Sequence, residues 1–586
     1  MMKYIKIPYG MANFESLVSN NYHYVDRTQY IEIIEDMGDR NLAFLRPRRF
    51  GKSLFVNVLK DYYDIRKKAK FEALFGKYYI GKNPTPLANS YMILSFDFSG
   101  ITTDDDKAAH NSFLLRIKSC VDLFLTRYFE ETSRNLRTKI EELSQANEVM
   151  SHFFAFIEKE NSPYKIYLTI DEYDHFANEL IAWNLDVFRE AVSKNGWVRK
   201  FYETLKIAVG DGIVDRIFIT GVSPITLDSL TSGFNIVKQL SSDMVLHELM
   251  GFTKEEVAEI MLGVGAKVEA LPQIMSDLKD WYNGYLFSEE CTNRLYNPDM
   301  VLYFASEYRK TLKYPRRMLD VNVMSDYSKI RRLFKIGGQE EERISILEEL
   351  LQNGQIMMKM TDQFSFEKRF DNKDFINLLY YTGAITIKET RIEKTVFNIP
   401  NYVIKQLYFE YFSQILMDRI NSNHDVLRYN EAIDELVTQN NMQPLANVVS
   451  TIMSRLSNRD NMQFGEKHLK TIFVTILMFS EAYYIHSELE LHKKYTDLFI
   501  ERTRRFNIPY QYLIEFKYFT KAKYEELIEP KKDGSATEWA KVIQKSRNQL
   551  IGYTMLPYFQ VKEDLKPWLI AFVGHEAKVV EEIENE

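Results

Sequence analysis

The stretch from Leu42 to Leu59 constrains the fold more than any other. Leu42-Ala-Phe-Leu45 is an unbroken apolar run of the kind that forms a short buried strand, and Leu54-Phe-Val-Asn-Val-Leu59 repeats apolar residues at helical spacing. Between them lies Arg46-Pro-Arg-Arg-Phe-Gly-Lys-Ser53. It ends in the Gly51-Lys52-Ser53 of a phosphate-binding loop but carries Arg46 where the pattern G-x-x-x-x-G-K-[ST] has its first glycine. Strand, loop and helix in this order are the setting in which backbone N–H groups and a helix N-terminus cradle phosphate. In it, Lys52 reaches the outer phosphates and the Ser53 hydroxyl ligates Mg²⁺. Arg46, Arg48 and Arg49 leave two readings open: contact with phosphate and its developing charge, or a solvated loop.

Three further strand candidates follow: Met92–Phe98, Lys165–Ile170 and Arg216–Thr220. Helix-length segments separate them, with amphipathic stretches expected over 107–129 and 133–158, so the first ~240 residues read as one α/β domain with a mainly parallel sheet. Asp104-Asp-Asp106 is the acidic start of the first of those helices. Asp171-Glu172 closes the third strand, where an acid can hold a metal's water shell and its neighbour can orient an attacking water. At the tip of the fourth, either Thr220 or Ser223 is placed to sense a γ-phosphate. Thr253 and Glu256 form a capping box that opens a helix. Beyond it the pattern is mostly helical to Gly465, with no chemical motif after about Asp320.

The length, 586 residues, requires several domains. The expected divisions are a P-loop domain at 1–245, a helical lid-like subdomain at 246–325, a helical connector at 326–465 and a smaller α/β domain at 466–586. With 45% hydrophobic and 27% charged residues the composition is that of a soluble globular protein. No run approaches the ~18 apolar residues of a membrane span, and Ile472–Phe479 reads as a core helix. The first ten residues lack an apolar leader, and Cys120 and Cys291 are the only cysteines. A reducing cytoplasm is therefore expected, with no disulfide framework and no cysteine-based zinc site.

The last segment concentrates charge. The chain as a whole carries −7, yet residues 491–532 hold ten Lys or Arg against six Asp or Glu, which is either a solvated face or a phosphate-tracking surface. Asp497 lies within the strand candidate Tyr495–Ile500, and Glu515 follows 18 residues later (515 − 497) in Ile514-Glu-Phe-Lys517. Alternation along a strand turns Glu515 and Lys517 to one side. Two carboxylates converging on Mg²⁺ beside a lysine suit phosphodiester hydrolysis; two amphipathic strands with a cross-strand ion pair fit the same spacing. A third carboxylate can enter from Glu488 or Glu490, and Gln544 or Gln549 sits on the following helix.

Two resemblances bear on these residues. Leu45-Arg-Pro-Arg-Arg-Phe-Gly-Lys-Ser-Leu54 resembles the signature of the bacterial AAA-ATPase-like family, in which the first loop glycine is replaced in the same way. Tyr9-Gly10 with Phe14, Tyr24-Val-Asp-Arg-Thr28, Ile170-Asp-Glu-Tyr-Asp174, Thr220–Pro224, Gly251–Thr253, Trp281–Tyr285 and Tyr296-Asn-Pro298 resemble its later landmarks in order. Arg27 stands where lysine is more usual. The resemblance implies ATP binding with Mg²⁺ and hydrolysis. It carries Arg46, Arg49, Gly51, Lys52, Ser53, Leu54, Asp171 and Ser223 as nucleotide- or metal-binding residues and Glu172 as catalytic, in a site that a partner or a homo-oligomer completes. The C-terminal pattern resembles the PD-(D/E)XK nuclease superfamily, with Thr496 in place of the proline and His492-Lys-Lys494 in place of a glycine-containing stretch. This second resemblance implies Asp497, Glu515, Lys517 and Gln549 as catalytic residues, and Glu488, Asp497 and Glu515 as metal ligands. Together they describe an ATP-dependent, Mg²⁺-dependent nuclease acting on nucleic acid, DNA before RNA, in defence or mobile-element biology. The other reading is a nucleotide-gated switch or scaffold whose nuclease-like domain binds without cutting.

Overall fold

The computed structural model describes residues 4–103, 105–183, 185–230, 233–320, 330–336, 339–360, 370–420, 426–460, 465–478, 480, 482–491, 494–503, 506, 508–530 and 536–584; at 182–183, 330–332, 417, 419–420, 426–427, 457–460, 487–491 and 494–495 it describes the backbone alone. The chain packs as two units, residues 1–346 with 355–404, and residues 347–354 with 405–586.

In the first unit, β1 (Asn41–Leu45), β2 (Tyr91–Asp97), β3 (Lys165–Asp171), β4 (Val214–Gly221) and β5 (Lys238–Gln239) form a wholly parallel sheet in the order β2-β3-β4-β1-β5. Its apolar strands are covered by helices, as parallel strands require. Aromatic rings supply much of the packing: Tyr63 stacks on Tyr167 at 4.7 Å, and Phe113 meets Phe98 at 5.1 Å and Phe201 at 5.2 Å. The acid run behaves as a cap, since the Asp105 carboxylate accepts from Ala108 N–H at 2.7 Å and opens the helix Asp106–Tyr128. The single helix expected over 133–158 is two, Arg134–Glu142 and Ala146–Glu160, because Leu143 turns to an extended conformation. The capping box is present, with Glu256 N–H donating to Thr253 Oγ1 and Thr253 N–H to Glu256 Oε2.

The stretch that reads as helical beyond residue 320 also holds a small antiparallel sheet, β6 (Gln355–Met358), β7 (Thr386–Arg391) and β8 (Lys394–Asn398), in the order β6-β8-β7. These strands of four to six residues alternate too briefly to separate from a charged helix by pattern.

The second unit holds a mixed sheet of β9 (Tyr483–Leu491), β10 (Lys494–Arg502), β11 (Gln511–Phe519), β12 (Leu565–Val573) and β13 (Glu576–Glu582), in the order β13-β12-β11-β10-β9. Only β11 and β12 run parallel, and their connection contains the helix Glu538–Thr554. That helix buries Ile543, Leu550 and Tyr553 in one cluster with Phe499, Leu513 and Leu569. The helix Glu466–Leu477 sets Phe473 against Phe516 at 4.9 Å. Successive strand residues point to opposite faces, so Phe499 with Leu513 and Phe516 with Phe473 mark the two sides of the sheet. No helix among the described residues is long and apolar enough to cross a membrane.

Candidate functional site

The loop after β1 turns by means of two left-handed residues, Arg49 at φ +67° and Gly51 at φ +94°. The second is the N-cap of the helix Lys52–Tyr63, a conformation that glycine adopts without strain. Lys52 is 4% exposed; its ammonium donates to the carbonyls of Arg46 and Pro47, both at 3.2 Å, and lies 3.6 Å from Glu172 Oε1. Asp171 ends β3, and β4 pairs with both β3 and β1, so the acid and the loop emerge at the same edge of the sheet. Burial raises the Asp171 pKa, while hydrogen bonds from the Ser53 and Thr220 hydroxyls oppose that rise. Thr220 Oγ1 donates to Asp171 Oδ1 at 2.5 Å. A hydroxyl at the loop's end facing a buried carboxylate fits a Mg²⁺ ion between Ser53 and Asp171.

Beside the loop opens a cleft of about 310 Å³. Its walls come from segments far apart in the chain: Gly10–Ala12, Tyr24 with Val25 and Arg27, Arg49–Phe55, Glu172, Leu249–Phe252, and Pro298 with Asp299. Ligands of open parallel sheets collect at the carboxyl ends of the strands, and this cleft has one cationic, loop-lined end and otherwise largely apolar walls.

In the second unit, Asp497 on β10 and Glu515 and Lys517 on β11 come together. Glu515 is 1% exposed, and its Oε1 accepts from Lys517 Nζ at 2.9 Å and from Gln549 Nε2 at 2.9 Å. Asp497 Oδ2 accepts from Phe516 N–H at 2.8 Å. Burial, then the Asp497 charge, push the Glu515 carboxyl up to about 7 against the pull of Lys517. Among the described residues no three His, Cys, Asp or Glu side chains already surround a common point. Among the described residues nothing hydrogen-bonds Asp497 Oδ1 or Glu515 Oε2, and the repulsion between the two carboxylates is what a divalent cation between them relieves.

Residues 8–231 match the model of a family described as a predicted AAA-ATPase, and residues 464–582 match that of the PD-(D/E)XK nuclease superfamily. The chain joins an AAA-ATPase-like domain to a PD-(D/E)XK nuclease-superfamily domain. A protein of Azotobacter chroococcum mcd 1, described as uncharacterized and placed in the vnfD 5′ region, is 27% identical over 305 residues, which are 51% of this chain and 52% of that protein. The chain thus spans about half the length of this relative. A Walker-type ATPase of Pyrococcus abyssi aligns with 66% of this chain and 96% of its own at 12% identity and a TM-score of 0.37.

Within the ATPase-like domain, the cleft gathers Arg49, Gly51, Lys52, Ser53, Leu54 and Glu172, with Asp171 beside Ser53. Arg46 and Ser223 lie elsewhere, which corrects both. Arg46 is 2% exposed: its guanidinium donates to the carbonyls of Leu45 at 3.0 Å and Ser241 at 2.5 Å, and lies between the rings of Phe44 and Phe287, each at 4.2 Å. It sits neither on a solvated loop nor in the cleft; burial lowers its pKa to about 9, and it ties the loop to the segment after β5. Phe50, which also lines the cleft, packs edge-on against Tyr285 at 4.9 Å. Ser223 is fully buried. Its N–H donates to Asp174 Oδ2 at 2.8 Å and its hydroxyl also faces Asp174, so the residue at the tip of β4 that reaches the acidic pair is Thr220. Asp174 also accepts from Val222 N–H at 3.0 Å, locking the ends of β3 and β4 together. Gly221 is required there, because a Cβ would come within 2.4 Å of the Asp174 carboxylate.

Within the nuclease domain, Asp497, Glu515, Lys517 and Gln549 meet. The side chain of Glu488 lies outside the described residues; its backbone is opposite Asp497, between the pairs Thr496–Leu489 and Leu498–Ser487. The Glu490 side chain is likewise outside the described residues, and Gln544 donates to Asn548 rather than to a member of the cluster. Sequence reasoning missed Glu466. This first residue of the helix Glu466–Leu477 places Oε2 3.7 Å from Lys517 Nζ, and burial raises its pKa. An acid in a first helical turn reads as dipole stabilisation, and only the fold brings it to Lys517.

Proposed function

We propose that the protein binds and hydrolyses ATP in its N-terminal domain and cleaves nucleic-acid phosphodiesters in its C-terminal domain, with Mg²⁺ at both sites. The observation that carries the nuclease reading is the convergence of the half-buried Asp497, Lys517 and Gln549 on the buried Glu515 carboxylate. A divalent cation held there supplies the Lewis acid and the lowered water pKa that phosphodiester hydrolysis uses. Lys517 is placed to hold a water or a phosphate oxygen at the cluster, and Gln549 fixes the Glu515 carboxylate. The nucleotide reading is supported by Lys52, Ser53, Asp171 and Glu172 around one loop, at the end of a cleft with room for an apolar base.

The test is a cleavage assay on linear and circular DNA and on RNA with Mg²⁺ or Mn²⁺, with and without ATP, comparing the wild type with Asp497→Ala. Loss of cleavage by about a hundredfold or more in the variant is the expected result, the size that removal of a metal ligand produces. Cleavage that survives the substitution sinks the site assignment. Absence of cleavage by the wild type under every condition leaves the switch or scaffold as the function.

A further inference from the structure

Three cations line the nucleotide cleft, and each is held by a carboxylate of the protein itself. Arg27 pairs with Glu256 at 2.5 and 2.7 Å, Lys52 lies 3.6 Å from Glu172, and Arg49 Nη1 donates to Asp299 Oδ2 at 2.7 Å. The first pair belongs to the capping box and the second to the acidic pair after β3. The third joins the phosphate loop to a separate element. Asp299 sits in the first turn of the helix Pro298–Thr311, behind the Asn297 cap, where the helix dipole favours a negative charge.

Leu302 lines the same cleft and Tyr303 packs against Tyr9 at 6.0 Å, so positions 299, 302 and 303 form one face of that helix. Arg49 holds its side of the contact from a left-handed backbone, φ +67°, which a bulky residue adopts only when its surroundings enforce it. Both side chains are largely sheltered, 25% and 13% exposed, so the pair is weakened less by solvent than a surface bridge.

We propose that Arg49 and Asp299 form a phosphate-displaced latch. The Asp299 carboxylate occupies the guanidinium that a nucleotide phosphate takes, and nucleotide binding moves Arg49 from Asp299 to phosphate and frees the helix Pro298–Thr311 from the loop. A guanidinium fork suits phosphate as well as carboxylate, and the phosphate arrives with more charge. A ligand shifts such an equilibrium only through its different affinity for the two states; here that difference is the pairing of Arg49. The inference rests on the nucleotide reading above and adds a competitor and a moving element to it.

The test measures binding of a fluorescent N-methylanthraniloyl ATP to the full chain, together with hydrogen–deuterium exchange of peptides from 298–311. Asp299→Asn removes the competitor and is expected to tighten binding roughly fivefold, with faster exchange of the helix before nucleotide is added; Asp299→Glu keeps the pair and stays close to the wild type. In an Arg49→Ala background, binding is weaker and Asp299→Asn has no further effect. Weaker binding in Asp299→Asn than in the wild type overturns the latch and makes Asp299 a nucleotide or metal ligand. A tightening that persists without Arg49, or exchange of the helix that nucleotide leaves unchanged, overturns it too. Lys52→Ala separates the failures: if the probe binds that variant as it binds the wild type, or binds neither, the nucleotide reading falls and the latch with it; if binding needs Lys52 and ignores Asp299, the latch alone falls.

Discussion

The two candidate sites are electrostatic opposites. In the ATPase-like domain the cations come first: Arg27, Arg49 and Lys52 face one cleft, each already neutralised by a carboxylate, and Lys52 also by two carbonyls. In the nuclease-superfamily domain the carboxylates come first: Asp497, Glu515 and Glu466 all act on Lys517, and burial, then the Asp497 charge, push the Glu515 carboxyl up to about 7. A compensated cationic cleft can stand without ligand until a polyanion displaces its internal partners. A buried anionic cluster that its lysine compensates only in part favours uptake of a proton or a metal ion. On the function proposed above, the first site is expected to answer to phosphate and the second to cations and pH.

The largest effects are expected where that opposition is broken outright. Asp497→Ala removes half of the carboxylate pair and is expected to lower Mn²⁺ affinity of the nuclease domain about a hundredfold, while nucleotide affinity holds. Lys52→Ala is expected to do the reverse, costing roughly thirtyfold in nucleotide affinity, as loss of a charged hydrogen bond does, with Mn²⁺ binding in the nuclease domain unchanged. Calorimetric titration of each variant with Mn²⁺ and with a slowly hydrolysed ATP analogue gives all four values. If one substitution abolishes both affinities, the two sites are not independent centres.

Sequence was informative where chemistry follows from a regular period. Alternation along β11 turned Glu515 and Lys517 to the same side, and the strand ends carrying Gly51-Lys52-Ser53 and Asp171-Glu172 were legible because buried parallel strands are continuous apolar runs. It was silent where direction is set by an irregular loop. Nothing in Arg46-Pro-Arg-Arg-Phe50 tells that Arg46 turns toward Phe287 while Arg49 turns to the cleft; a ring contributed from more than 200 residues away decides it. Ser223 and Thr220 are three residues apart, and the buried Asp174 carboxylate selects which of them is free to meet Asp171.

An intermediate effect is expected from pH. Because the folded Glu515 carboxyl titrates near 7 and an unfolded one near 4.5, the folded chain holds a proton over that window that the unfolded chain has lost. Stability from this group is therefore greatest at the acid end and falls as pH rises toward 7 when no metal is present. Metal binds only the ionised carboxylate, so Mn²⁺ affinity is expected to climb about tenfold per pH unit below 7 and to level off above it. Glu515→Gln flattens the profile. A wild-type affinity that does not change between pH 5.5 and 7 contradicts the raised Glu515 pKa that burial and the Asp497 charge produce.

The smallest effect concerns Glu466, a carboxylate that joins the cluster from a helix rather than a strand. Its side chain is 44% exposed, so its interaction with Lys517 at 3.7 Å is partly screened, yet its charge is among the causes that raise Glu515. Glu466→Gln keeps the shape and removes the charge. Glu515 then loses a repulsive neighbour, and the midpoint of the Mn²⁺ affinity profile is expected to move to lower pH by a few tenths of a unit. Lys517, no longer drawn toward the helix, is left with Glu515 as its carboxylate partner, and cleavage is expected to fall only about threefold to fivefold, since neither Asp497 nor Glu515 is altered. A fall as large as that of Asp497→Ala would make Glu466 a metal ligand. An unmoved midpoint would place it outside the electrostatic group, and the negative cluster would reduce to the pair on β10 and β11.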